Sequence, residues 1–391
     1  MGHAPNPGDQ RLVLAGLISN TVRTTHPNSK QGIALIIVMI VIVVLGILAG
    51  GFAYSMKVET KLARYGTYET DLEWLGRSGV EFGRYVLGQQ LGIPNEGAYA
   101  SLNQKWAGGP GGTTNELLAD IHLDNNHLGD GVFSVRIIDM ERKFNLASLN
   151  EANIHILDKA LDLVGVDATE FDTITDSYLD WVDQDERPRI NGAESADYLH
   201  FDPKRPYYCK NGPLDDLGEL MLIRGITPEM FWGTARTGQP ITPAKQRRGP
   251  KLRFANMPQA NMGIGVGLVD LFTPISGAGA AVNVNTAPAE VLQMIPGIDA
   301  GLAQGIIQTR AGPDRSDGDE DDTPFLNTGE LINVPGMSPG VVNAMRPFLT
   351  TQSFVFEIEV DAQMGLVRRR FVALVHRRSR QDVALLYFHW K

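Results

Sequence analysis

The chain has 391 residues, 43% of them hydrophobic and 20% charged, with a formal net charge of −10. That length holds two or three domains with proper cores, and the acidic balance argues against general nucleic-acid binding, whose affinity comes mainly from phosphate contacts. One cysteine, Cys209, excludes an internal disulfide and a cysteine-rich metal site.

No charged residue occurs from Ile33 to Phe52, and the next charge is Lys57. Such a run, in a helix, spans about 30 Å, the hydrocarbon thickness of a bilayer. A buried core helix of this length would show a polar face. Arg11, Arg23 and Lys30 against the acid Asp9 place the preceding residues in the cytoplasm. A secretory signal peptide would have a shorter apolar run ending at a small-x-small cleavage site. Here the run passes into a helical pattern, with Leu62, Tyr65, Leu72, Leu75, Phe82 and Val86 recurring at steps of three, four and seven. One helix is expected over residues 33–92, with residues 33–52 crossing the membrane.

After a glycine-rich loop, Gly108 to Gly112, a strand is predicted over Gly131 to Asp139. Three β-rich runs, Phe354 to Val360, Val367 to Val375 and Val383 to Trp390, read as a meander, with turns at Gln363-Met364-Gly365 and Arg378-Ser379-Arg380. The residues between read as mainly helical, so the fold class is α+β. Phe144 to Asn150 and Val282 to Pro288 resemble each other: alternating apolar residues end at a capping residue, Asn150 or Thr286. Ile223-Arg224-Gly225-Ile226, Ile295-Pro296-Gly297-Ile298 and Val334-Pro335-Gly336-Met337 resemble helix-hairpin-helix turns. Glu229 and Asp299 near two of them would repel a phosphate, so these turns are read as a compact way to pair helices.

Carboxylates gather at Asp180, Asp183, Asp185 and Glu186, with Asn191, Glu194 and Asp197 close behind. Asp176, Asp180 and Asp183 share a helical face, where like charges repel, and water or a cation is expected to screen them. Oxygen ligands from a helix end and a turning loop suit Ca²⁺; a solvated acidic surface is the alternative, and no EF-hand pattern is present. Asp314, Asp317, Asp319, Glu320, Asp321 and Asp322, set among Gly, Ser and Pro, read as a disordered acidic loop. The chain contains no His pair on a helix, no phosphate loop, no Gly-x-Ser-x-Gly elbow and no motif beside Cys209, so it is read as structural and not an enzyme. Gly263 to Gly267 lacks the Rossmann spacing and reads as a loop.

Lys30-Gln31-Gly32-Ile33-Ala34-Leu35 resembles a prepilin peptidase site, with cleavage between Gly32 and Ile33. The fifth mature residue would be Ile37, where most such proteins carry glutamate. Asp176 to Glu186, then Pro188, Asn191-Gly192-Ala193-Glu194, Asp197-Tyr198 and Pro213 to Leu220, resemble the K-type minor pseudopilins of type II secretion systems. That family characteristically lacks the glutamate. The resemblance implies a prepilin leader (1–32), an N-terminal helix (33–92), and a pilin-like first part (93–144). It further implies an α-helical insertion (145–282), a second helical subdomain (283–352) and C-terminal strands (353–391). A long helix packed on a small antiparallel sheet, with calcium held in the helical part, is the implied fold. The implied setting is the inner membrane, crossed once, with the C-terminal domain periplasmic and a place at the pseudopilus tip. The implied partners are the I and J minor pseudopilins, the major pseudopilin, prepilin peptidase, the secretin and exported proteins. The rival readings are a membrane-anchored nucleic-acid receptor using the hairpins and a minor subunit of a type IV pilus.

Overall fold

The computed structural model describes residues 29–111, 118–201, 205–233 and 265–391. Most of the expected leader, Gly112 of the glycine-rich loop, and most of the segment from Gly238 to Gly279 (including Gly263 and Ile264) lie outside the described residues.

Helix α1 runs from Ser29 to Gln90. The chain divides into two units, residues 1–66 and 67–391. In the first, α1 carries an 18-residue window of mean hydropathy 3.3, none of it buried, and is long and apolar enough to cross a membrane. Leu62, one of the recurring apolar positions, is exposed. Its spacing is right, but the sheet that buries the stripe begins only beside Tyr68 and Leu72.

In the second unit, β1 (Asn126–Leu128) and β2 (Gly131–Asp139) precede a long excursion of the chain. That excursion holds β3 (Phe144–Asn145), α2 (His155–Val164), α3 (Phe171–Val182), α4 (Ser195–Phe201), α5 (Pro228–Trp232), α6 (Leu268–Leu271) and β4 (Phe272–Thr273). It continues through β5 (Val282–Asn283), α7 (Ala289–Gln293), α8 (Ala300–Arg310), α9 (Pro339–Met345) and β6 (Leu349–Thr350). The chain then returns as β7 (Val355–Met364), β8 (Val367–Arg377) and β9 (Val383–Trp390). The sheet order is β1-β2-β7-β8-β9, every pair antiparallel. The expected meander is present, and β7 runs past Val360 because its alternation continues through Asp361, whose carboxylate takes both arms of Arg370 at 2.7 Å.

One face of the sheet packs on α1. Alternating residues Phe133, Val135 and Ile137 of β2 and Phe356, Ile358 and Val360 of β7 meet Leu72, Leu75, Val80 and Val86. The helix lies close because Gly76, Gly79 and Gly83 face the sheet: a Cβ on Gly79 would stand 2.4 Å from Val360 Cγ1. The helical part has a core of its own, to which both expected helical segments contribute, among them Leu157, Leu161, Val291, Ile306 and Leu331.

The two helical segments repeat one plan. Each opens on a short strand ending in asparagine, Asn145 or Asn283, whose side chain accepts the N–H two residues on. Each closes on a parallel partner strand, β3 with β4 and β5 with β6. Pro213 to Pro228 and Pro324 to Pro339 align without a gap, with identities that include Gly218/Gly329, Glu219/Glu330, Leu220/Leu331 and Gly225/Gly336. The three hairpin glycines, Gly225, Gly297 and Gly336, all have φ +88°, a conformation that strains any other residue. Thr227, Asp299 and Ser338 then cap the helices that follow.

The acidic run expected as a disordered loop is folded. Arg310, at the end of α8, holds Asp317 through two bonds of 3.0 and 2.8 Å, and the N–H groups of Asp314 and Gly318 donate to Asp321 and Asp322. The buried cation of Arg310 supplies what composition hides.

The helical part joins the sheet through a buried polar cluster. Asn283 donates to Ala100 O, Asp139 Oδ2 and Ser353 Oγ at 3.0, 3.1 and 2.7 Å. Glu141 accepts from the N–H groups of Gly277, Phe354 and Val355 at 2.7, 3.2 and 3.1 Å. Burial first, then the charge of Asp139, pushes the Glu141 carboxyl up to about 7.

Candidate functional site

Helix α3 buries Ile174, Tyr178 and Trp181, and the Tyr178 hydroxyl donates to Leu146 O at 2.7 Å. The same helix carries Asp176 and Asp180, and its C-cap Asp183 turns the chain into extended backbone. The loop that follows folds back over these acids. Arg189 donates from Nη1 to Asp180 Oδ1 and Asp183 Oδ2 at 2.7 and 2.6 Å, from Nη2 to Glu151 at 2.9 Å, and from its backbone N–H to Asp180 Oδ2 at 3.1 Å. Asn191 donates twice to Asp176, at 3.1 and 3.2 Å. A Cβ on Gly192 would stand 1.9 Å from Asp180 Oδ2, so this loop lies flat on the acid only with glycine there. The repulsion along α3, expected to need water or a cation, is answered in part by the chain's own Arg189 and Asn191. The sequence signal was there, in Pro188-Arg189-x-Asn191-Gly192.

Of the seven candidate ligands, three converge. One carboxylate oxygen from each of Asp183, Asp185 and Glu194 lies within 4.8 Å of the others. The other four point elsewhere, Asp180 to Arg189, Glu186 to Ser195 and Asn211, Asn191 to Asp176, and Asp197 to the N–H of Glu194. Within the three, Asp183 also accepts from Arg189 at 2.6 Å and Asp185 from the N–H of Arg187 at 2.8 Å. Glu194 is 1% exposed, and neither of its carboxylate oxygens has a hydrogen-bond partner among the described residues. The neighbouring Cys209 thiol, a weak donor, is directed to Asp180 O at 3.5 Å. Burial first, then the charge of Asp180, pushes Glu194 up to about 7. A buried carboxylate without donors is costly, and a cation would satisfy it. Three hard oxygen donors from a helix end and a turning loop fit Ca²⁺, with carbonyls and water completing its shell.

A pH signature follows. With cation removed, a folded-state carboxyl raised from 4.5 to about 7 contributes stability at low pH that is lost as pH climbs between those values. Glu194→Gln should flatten that decline in chelator, as read by melting temperature against pH. An unchanged slope in the variant would refute the assignment.

The family profile described as "Type II secretion system (T2SS), protein K" matches residues 142–233, the stretch that holds this pocket, and a helix-hairpin-helix profile matches residues 277–350. Over residues 142–233 the chain is similar to the protein K family of type II secretion systems. The type II secretion system protein K of Klebsiella pneumoniae is 26% identical over 219 residues, 52% of this chain and 60% of that relative's length. That of Dickeya chrysanthemi is 32% identical over 69 residues, 18% of each chain. Among solved structures, the GspK–GspI–GspJ complex from the type 2 secretion system of enterotoxigenic Escherichia coli includes a chain that aligns with a TM-score of 0.56. The alignment has 14% identity and covers 84% of this chain and 99% of that one. At that identity the likeness shows a shared fold: a long N-terminal helix and an antiparallel sheet with helix-hairpin-helix segments.

Proposed function

We propose that this chain is a minor pseudopilin of the protein K type, cut between Gly32 and Ile33, held in the inner membrane by residues 33–52, and placed at the tip of the pseudopilus to start its assembly for protein export. Its role is structural, and its partners are the I and J minor pseudopilins. The carrying observation is the first half of α1, whose large apolar side chains from Ile33 to Phe52 are all exposed. They call for lipid or neighbouring helices around them. The complex in which the E. coli relative was solved supports the choice of partners. Ile37 supports the tip: a carboxylate at that depth needs an amine partner from a subunit already in the filament, and a first subunit has none. The helical body would block addition above it, and Ca²⁺ at Asp183, Asp185 and Glu194 would hold that body rigid.

The test is Ile37→Glu in a strain carrying only the variant. A carboxylate in hydrocarbon costs about 2.5–3.5 kcal/mol on insertion scales, so poorer membrane retention and reduced secretion are expected, while Ile37→Val should behave as wild type. Normal secretion with cross-links typical of a repeated shaft subunit would refute the tip position. The hairpin turns keep a second reading in view, a nucleic-acid receptor. Against it, Asp299 caps the N-terminus of α8, where a phosphate would sit. Salt-sensitive DNA binding by the full chain would favour that rival.

A further inference from the structure

We propose that the free edge of β9, with Trp74 of α1 beside it, is a docking surface for an acidic edge strand of another pilin-like subunit. The inference rests on the assembly proposed above and names the surface that would make it.

Strand β9 is last in the sheet order, and no strand pairs with its outer side among the described residues. From Val383 to Trp390 it contains neither a charged residue nor proline, the devices by which exposed edges ordinarily refuse a further strand. A bulge opposite Leu374 and Val375 takes Leu386 out of the ladder, leaving Tyr387 to Trp390 as the unbroken stretch. Tyr387 is 59% and Trp390 62% exposed. On the α1 side of the strand stands Trp74, 65% exposed, linked to Phe388 by Arg77, whose guanidinium lies 5.9 Å from the Trp74 ring and 5.3 Å from that of Phe388. Aromatic side chains left open next to an unpaired backbone are the composition of a strand-addition site.

Charge selects the occupant. The chain is acidic overall, yet both ends of this edge are basic. At one end, an open cleft is lined by Asp361, Arg368, Arg369, Arg370 and Lys391. Arg370 is paired with Asp361 and Arg369 with Glu69, whereas Arg368 and Lys391 have no ion pair among the described residues. At the other end are Arg378 and Arg380, the first beside Asp382 and the second bonded to neutral Gln89. A second copy of this chain, paired antiparallel along β9, would set Arg368 and Lys391 against Arg378 and Arg380, and like charges so placed oppose pairing. A partner strand flanked by aspartate or glutamate fits instead, with one carboxylate in the cleft between Arg368 and Lys391.

The test uses the full chain in detergent, purified with the I and J subunits of the same system. Two variants alter the edge, Leu386→Lys with Tyr387→Lys and Arg368→Glu with Lys391→Glu. Leu128→Lys, at the opposite sheet edge, is the control. All these side chains are exposed, and the charge reversal keeps the test sound should the apolar pair prove unstable. Recovery of partner is expected to fall by about tenfold or more in both β9 variants and to stay unchanged in the control. Equal recovery in all would overturn this surface and leave the assembly standing; loss in the control alone would move the interface to β1, also overturning it. A wild-type chain that retains neither subunit would overturn both readings. Self-association lost in the β9 variants would make the occupant a second copy and overturn the acidic-partner proposal.

Discussion

Replacing Arg310 with methionine is expected to cost about 3–5 kcal/mol of unfolding free energy, as breaking a buried ion pair from one side does. The side chain is 4% exposed, and four bonds depend on it. Nη1 donates to Val284 O and Ala287 O at 2.7 and 2.8 Å, while Nε and Nη2 hold Asp317 at 3.0 and 2.8 Å. Methionine fills much of the space but leaves a carboxylate and two carbonyls short of donors. The acidic loop should then loosen first. Urea unfolding of the full chain measures the loss, and proteolysis should cut within residues 311–323. Arg310→Met with Asp317→Leu should recover part of the loss, because the second change removes the stranded charge. A midpoint within error of wild type would mean that solvent, not Arg310, holds the loop.

The second large effect lies in α1. Gly79→Val is expected to destabilise the second unit by about 3 kcal/mol, the upper part of the range for overpacking. The first added carbon already falls 2.4 Å from Val360 Cγ1 and 3.2 Å from Phe133 Cδ2, and a β-branched side chain has no rotamer that avoids both. Gly66→Ala is the matched comparison: nothing lies within 4 Å of the added carbon, and alanine favours helix by about 1 kcal/mol over glycine. Thermal unfolding of the two variants should therefore move in opposite directions, or Gly66→Ala should not move at all. Equal losses would show that glycine matters here for flexibility and not for close approach.

The elements easiest to read from sequence were those whose signal is local. The uncharged run of α1, the alternating strands β2 and β7 to β9, and the Pro-Gly punctuation of the hairpins each declare themselves within a dozen or so residues. Leu62 shows the limit of periodicity, which gives the face of a helix but not where the partner sheet begins. The matching stretches from Pro213 and Pro324 were visible as residues but not as a pair, because few of their positions are identical and the likeness lies mostly in caps and turns. At the acidic cluster, residue type pointed to seven residues of one helix end and loop and could not choose among them. Arg189 claims Asp180, and burial leaves Glu194 free. The cluster at Asp139 and Glu141 was missed for a plainer reason: its partners Asn283 and Ser353 lie 144 and 214 positions from Asp139.

That separation also sets an order of events during synthesis. Strand β2 is made early, but its hydrogen-bonded neighbour β7 follows only after the whole helical part. The helical core draws its residues from Phe144 to Leu349 and can close as soon as that stretch is out. The sheet cannot, and such distant pairings close late. Until Val355 to Trp390 arrive, Leu72, Leu75 and Val80 of α1 have only β2 and the segment before it to cover them. A chain cut short before β7 would thus pair a folded helical body with a half-covered apolar helix, the kind of unfinished product that proteases and chaperones recognise.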